Sequence, residues 1–285
     1  MSYYKLLGFD KEPFSTSPDP SFLYLSREYE LVLTNLLIQL RLRRGLNVVL
    51  GDVGTGKTTL SRKLVSELKG REDFILHIIL NANFNTEKEF LYSLIENYEV
   101  PFNQHFQEAT VSSIRNALEN FLLQKAFSEN RTTVLIIDEA QKLSESTLES
   151  LRVLLNYETN EFKLIQIILL GQLELCPNIM KMPNFYDRID FKYTLNPLGF
   201  TETKELVNFR LKKAGYRSTS PLFLDEAIRE IHYHTKGYPR GIIRQCHCCL
   251  RALVMSKTKM AVDRELVLEV IQKDVDSVWE TTAIR

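Results

Sequence analysis

The chain has 285 residues, 44% apolar and 25% charged, enough to bury a core in one large domain or two smaller ones. Lysine plus arginine and aspartate plus glutamate are both 36, so the formal charge is zero and no global basic field argues for nucleic acid. No apolar run reaches bilayer length, and Met1 to Asp10 lacks the regions of a signal peptide, so a cytoplasmic chain without a membrane span is expected.

In chain order, residues 3–25 hold Pro13, Pro18 and Pro20 among Phe9, Phe14, Phe22 and Tyr24. This predicts an ordered, irregular segment with aromatic rings to bury. Ser26 caps a helix from Arg27 to about Arg44, with Glu28 and Glu30 early and Arg41, Arg43 and Arg44 late, the order the helix dipole favours. Gly45 ends it. Leu46 to Leu50 reads as a buried strand, and Gly51-Asp52-Val53-Gly54-Thr55-Gly56-Lys57-Thr58-Thr59 follows it. Leu60, Leu64, Val65 and Leu68 then take helical spacing. Strand, G-x-x-x-x-G-K-[ST] and helix together are the setting of a phosphate loop. Its backbone N–H groups meet a polyphosphate, Lys57 reaches the β- and γ-phosphates, and the Thr58 hydroxyl ligates Mg²⁺. The bland alternative is a glycine turn before a helix.

Phe74–Leu80 is a second strand, Thr86 with Glu89 opens a helix through Tyr98, and Thr110 to Phe127 is another helix. Thr133 to Ile137 is an apolar strand ending in Asp138-Glu139. Asp138 can hold the Mg²⁺ shell and Glu139 can polarise the attacking water; the alternative is an acidic turn. Ser144 to about Glu158 is helical, Phe162–Leu170 is a strand closed by Gly171-Gln172, and a short helix from Leu173 to Met180 is stopped by Pro183. Arg188 to Leu195 alternates as a fifth strand. Strands alternating with helices imply an α/β fold, a parallel five-stranded sheet covered on both faces. From Thr201 only helices are predicted: Thr201–Ala214, Pro221–Thr235, Pro239–Val254 and Asp263–Asp274. The expected division is 1–45 as an N-terminal segment and helix packed on the core, 46–199 as the nucleotide-binding domain and 200–285 as a helical lid, with a hinge near Pro197–Gly199. Cys246, Cys248 and Cys249 flank His247 without a second Cys/His pair at zinc spacing, so they, with Cys176, read as reduced packing cysteines. His232 and His234 read as lid surface or core.

With these residues in view the chain resembles an AAA+ ATPase, and within that class the ExeA/GspA-like general secretion pathway ATPases. Asp19-Pro20-Ser21-Phe22-Leu23-Tyr24, Ile137-Asp138-Glu139-Ala140-Gln141, Asn156-Tyr157-Glu158-Thr159, Leu170-Gly171-Gln172-Leu173-Glu174-Leu175 and Gly237-Tyr238-Pro239-Arg240 carry the resemblance. Transposition target-selection ATPases such as TnsC/TniB share much of it. The resemblance implies a P-loop NTPase with the strand ending at Leu170 lying between the phosphate-loop strand and the Asp138 strand. It puts Gln172 at the sensor-1 position, Arg188 at the arginine finger and Arg240 at the sensor-2 arginine. The alternatives are a polar strand end, a surface arginine paired with Asp187 or Asp190, and a helix-surface arginine. Pro13-Phe14 and Phe22 are candidates to wall the adenine.

The implied activity is Mg²⁺-dependent ATP binding and hydrolysis, with homo-oligomerisation into a ring or filament in the ATP state. The named secretion ATPases continue past the lid into a membrane span and a cell-wall-binding region. This sequence ends at Arg285, so the expectation is a free cytoplasmic motor or switch with a protein client. A second reading is an ATP-dependent duplex DNA regulator, motivated by Arg41, Arg43, Arg44, Lys212, Lys213 and Arg217.

Overall fold

The computed structural model describes residues 2–15, 20–256 and 258–280. Thr16 to Asp19, which include Pro18 and the start of the Asp-Pro-x-Phe-Leu-Tyr stretch, lie outside the described residues. The chain divides into two units: Met1–Ser26, Gly54–Gly56 and Asn196–Arg285 form one, Arg27–Val53 and Lys57–Leu195 the other. The segment expected as 1–45 is therefore split at Ser26. After one turn, α1 (Tyr3–Leu6), its aromatic part goes with the helices, while α2 (Arg27–Leu42) goes with the sheet.

The sheet unit alternates β1 (Leu46–Gly51), α3 (Lys57–Leu68), β2 (Phe74–Ile79), α4 (Glu87–Asn97), α5 (Val111–Leu123), β3 (Thr132–Ile137), α6 (Glu145–Leu154) and β4 (Ile165–Gly171). Two short helices, α7 (Leu175–Met180) and α8 (Pro183–Tyr186), lead to β5 (Ile189–Leu195). All strand pairs are parallel, and the order is β2-β3-β4-β1-β5. As the resemblance implies, β4 separates β3 from β1. Strands β3 and β4 are buried along their whole length, which is why their sequences are mostly apolar, with Val134–Ile137 and Ile167–Leu170 as unbroken runs. Strand β5 alternates half-buried and exposed positions, as an edge strand does.

Local chemistry sets the helix starts. The Thr86 hydroxyl accepts the Glu89 N–H at 3.1 Å, and the Glu89 carboxylate reaches back to the Asn85 N–H at 2.9 Å. Helix α5 opens on a reciprocal Thr110–Ser113 pair. It stops short of Phe127 because Gln124–Ser128 forms a π turn. Strand β4 begins at Ile165, not Phe162, because Glu158 and Lys163 form an antiparallel bridge ahead of it. Pro183 does more than end a helix: it occupies the first turn of α8, where a missing N–H costs nothing.

The helical unit contains α9 (Phe200–Lys213), α10 (Asp225–Thr235), α11 (Pro239–Met255) and α12 (Arg264–Glu280). Phe9, Phe14 and Phe22 are buried in its core with Val207, Ile228, Cys246 and Leu250. Phe14 is fully buried and meets the Phe223 ring edge-on at 5.8 Å. Arg210, 5% exposed, donates to the Ser15 carbonyl at 3.2 Å and lies over the Phe22 ring. These contacts explain where the aromatic residues of the first segment go.

Cys246 and Cys249 are buried in the same core and form no disulfide, and burial pushes the Cys246 thiol well up. His232 meets the Thr203 hydroxyl at 3.0 Å. Among the described residues no group of three or more His, Cys, Asp or Glu is set to hold a metal, and no helix is long and apolar enough to cross a membrane.

The turn into α11 requires glycine at position 237. Gly237 has φ +76°, its carbonyl accepts the Leu198 N–H at 2.9 Å, and an added Cβ would stand 2.1 Å from the Leu198 carbonyl oxygen. Gly8 has φ +80° with nothing within 4 Å of such a Cβ. Gly8→Ala should therefore cost only about 1–2 kcal/mol of left-handed strain. Gly237→Ala adds a backbone displacement and should cost about 3 kcal/mol or more. Urea midpoints of the two variants test this; equal midpoints would remove the steric argument.

Candidate active site

The loop between β1 and α3 is built to bring backbone close to a ligand. Gly54 and Gly56 take φ +84° and +100°, which side chains rarely adopt. The Asp52 carboxylate accepts the Val53 N–H at 2.7 Å, Val53 is exposed at the tip, and Thr55 is buried. Lys57 begins α3 and is only 6% exposed. Its ammonium donates to the Gly51 carbonyl at 2.8 Å and to the Asp52 carbonyl at 3.0 Å. Burial holds its pKa below the usual lysine range, against the opposing pull of Glu139, Asp138 and Asp52.

Thr58 is exposed on the first turn of α3, and its hydroxyl is hydrogen-bonded to the Asp138 carboxylate; Thr59 is half-buried behind it. Asp138 is 2% exposed, and its Oδ1 accepts the Glu139 N–H at 2.9 Å. Burial pushes the Asp138 carboxyl up, while the Thr58 hydroxyl and the Glu139 N–H pull it back. A hydroxyl and a carboxylate paired beside a phosphate cradle are the hard oxygen donors Mg²⁺ takes alongside substrate phosphates and water. Glu139 sits in the left-handed region at φ +55°, unusual for a side chain of this size and a form of strain found at functional sites. Gly51, Asp52, Lys57, Thr58, Asp138 and Glu139 thus come together at the carboxyl end of the sheet, where open α/β folds bind ligands.

Gln172 follows β4 at the same end, half-buried. Its N–H donates to the Gln141 side-chain oxygen at 3.0 Å, and the Gln141 side-chain nitrogen donates to Glu139 Oε2 at 2.8 Å. Sequence reasoning assigned Gln141 nothing beyond its place in the acidic motif. Its link depends on β3 and β4 being neighbours, which no spacing along the chain reveals.

Arg188 lies elsewhere. The parallel register pairs Leu46 with Ile189 and Gly51 with Leu195. Arg188 is therefore at the amino end of β5, about 20 Å along the strands from the phosphate loop of its own chain. It pairs with neither Asp187 nor Asp190. Its guanidinium donates to Asn156 Oδ1 at 2.6 Å and to the Asn184 carbonyl at 2.8 Å. Arg240 is exposed in the first turn of α11. Its N–H donates to the Gly54 carbonyl at 3.4 Å, and Gly54–Gly56 group with the helical unit.

Residues 40–178, which carry the phosphate loop, β3 and the Gln172 turn, match the family described as AAA domain. The chain carries an AAA-type ATPase domain. Nucleotide binding and hydrolysis are the activity of that domain. Over 255 residues the chain is 34% identical to general secretion pathway protein A of Aeromonas hydrophila, covering 88% of this chain and 44% of that protein. The chain thus spans less than half the length of that relative. The ORC2 protein of Aeropyrum pernix, in its ADPNP–ADP complexes, superposes with a TM-score of 0.63 at 19% identity, over 93% of this chain and 71% of that one. Drosophila ORC bound to DNA gives a TM-score of 0.63 at 19% identity, over 96% and 66%. At these identities the structural likeness shows the fold, a P-loop NTPase of AAA+ type with a helical region after the sheet.

The burial of Asp138 has a measurable sign. Its raised pKa lets the native state keep a proton that the unfolded chain has lost. Nucleotide-free stability therefore falls as pH rises from the ordinary carboxylate range through the raised value, and levels off above it. Asp138→Asn should melt above the wild type at pH 7 without nucleotide, and the difference should fade below the ordinary carboxylate range. Thermal melts from acid to neutral pH check this; a variant melting below the wild type at pH 7 would contradict it.

Proposed function

We propose that this ATPase hydrolyses Mg²⁺-ATP at the carboxyl end of its sheet and that its ATP-bound copies assemble, each site completed by the Arg188 of a neighbour. The observation that carries the reading is the convergence of Lys57, Thr58, Asp138 and Glu139 while Arg188 stands at the opposite end of the sheet. In this reading the loop N–H groups and Lys57 hold the phosphates. Thr58 and Asp138 hold Mg²⁺, which would neutralise phosphate charge when bound. Glu139 takes a proton from water as the water oxygen bonds to the γ-phosphorus and the bridging bond to ADP breaks. Gln172 orients that water and Arg240 senses the nucleotide from α11. A guanidinium from the next copy offsets charge on the transferred phosphoryl group, so assembly and hydrolysis are linked.

We place the chain in the cytoplasm, where ATP is abundant, acting on a protein client. The similarity to general secretion pathway protein A supports a client in transport machinery. Two of the basic residues that motivated duplex DNA have partners within the chain. Arg43 donates to the Thr132 hydroxyl at 2.9 Å and lies over the Phe162 ring at 4.6 Å, and Arg217 lies 3.9 Å from Asp10.

Glu139→Gln should keep nucleotide affinity and lower kcat by about 100-fold or more, since it removes the base and leaves the metal ligands. Light scattering should find it trapped as an oligomer with ATP. Hydrolysis at the wild-type rate would end the assignment. Arg188→Ala and Lys57→Ala should each be inactive alone, yet regain part of the wild-type rate when mixed, because a mixed interface joins an intact loop to an intact arginine. Mixtures as inactive as their components would count against a finger supplied in trans. Adding a short duplex to the light-scattering samples tests the DNA reading: assembly that requires duplex and weakens steeply with salt would replace the protein-client reading.

A further inference from the structure

Gln141 is half-buried in the turn after β3, and each end of its carboxamide is used. Nε2 donates to Glu139 Oε2 at 2.8 Å, and Oε1 accepts the Gln172 N–H at 3.0 Å. The orientation is forced, because a carboxylate only accepts and a backbone N–H only donates. Neither a carboxylate nor an ammonium at this position satisfies both partners. Glu139 needs such a hold: its left-handed backbone at φ +55° takes its side chain out of line with β3, and the nearest cation, Lys142, is 3.9 Å from the same oxygen.

We infer that Gln141 is a positioning residue for ATP hydrolysis, which ties Oε2 of Glu139 to the end of β4 and so leaves Oε1 to take the proton of the attacking water. The inference rests on the reading of Glu139 as the water-activating group. The Gln141 amide couples two turns that belong to different strands. Movement of the Gln172 turn is thereby carried to the carboxylate, so anything that displaces this strand end misaligns the base.

The test is steady-state hydrolysis by Gln141→Met, which keeps length and shape and removes both polar atoms, with Gln141→Ala as a second variant should the first fail to fold. A fluorescent ATP analogue reports binding. We expect kcat to fall about tenfold or more, while KM and analogue affinity stay within about twofold, the split expected when an interaction acts only in the transition state. Added to Glu139→Gln, the substitution should change the residual rate by less than about twofold, because the group it orients is gone. Wild-type kcat in Gln141→Met, with Glu139→Gln inactive, overturns the positioning role and leaves the base assignment standing. Analogue affinity that falls in step with kcat also overturns it, since the role would then be structural. An active Glu139→Gln overturns the base assignment itself, and this inference with it.

Discussion

The buried ammonium of Lys57 sets the terms for the sheet unit. It is held by two carbonyls of its own loop, so those acceptors turn inward and the charge is presented with little water around it. Its attraction to Asp138 and Glu139 would be spent in a direct ion pair if the acidic strand were its neighbour. The order β3-β4-β1 prevents this, because two strand spacings, about 10 Å, separate the acidic strand from the one that leads into the loop. That interval is of the size a phosphate group and its ion occupy. Thr58, one residue along α3, spans to Asp138 with a neutral hydroxyl and keeps the carboxylate in place without cancelling it.

Strand β4 is therefore more than filler between β1 and β3. Its last residue, Gly171, lets the acidic turn come close: an added Cβ would lie 2.9 Å from a Leu175 methyl and 3.4 Å from the Gln141 backbone nitrogen. The next residue supplies the N–H on which Gln141 rests. The inserted strand holds the charges apart and also carries the contact that orients one of them. A strand order that only spaced the groups would leave Glu139, in its strained backbone position, with little to fix its side chain.

Most of the sheet was legible in the sequence because parallel strands are buried on both faces and need apolar runs; Val134 to Ile137 and Ile167 to Leu170 show this directly. The phosphate loop and the acidic pair were legible because their chemistry is local: glycines, a lysine and a hydroxyl must be contiguous to form a cradle. What depended on tertiary neighbours was hidden. Phe9, Phe14 and Phe22 announced something to bury but not which core would receive them, and they went to the helices. The π turn after Leu123 left no signature in apolar spacing, and Pro183 reads equally as a stop and as a first turn. Gln141 bonds to a residue 31 positions away, and nothing in its own surroundings marks that.

The polarity of a parallel sheet bears on assembly. All five strands run the same way, so every residue that ends a strand is at the phosphate end and every residue that begins one is at the other. Arg188 immediately precedes β5, and Asn156 and Asn184 hold its guanidinium there. No side-chain rotation brings it along the length of the strand to its own loop. On the proposed reading, the group that completes the charge stabilisation must come from another molecule. Joining the beginning of one sheet to the end of the next is a heterologous contact unless a two-fold axis pairs both ends at once. Heterologous contacts propagate until they close as a ring or continue as a filament. On that same reading, the feature that places Lys57 and Glu139 on one edge leaves a lone chain an incomplete catalyst, and the nucleotide state would be read from whether a neighbour is in place.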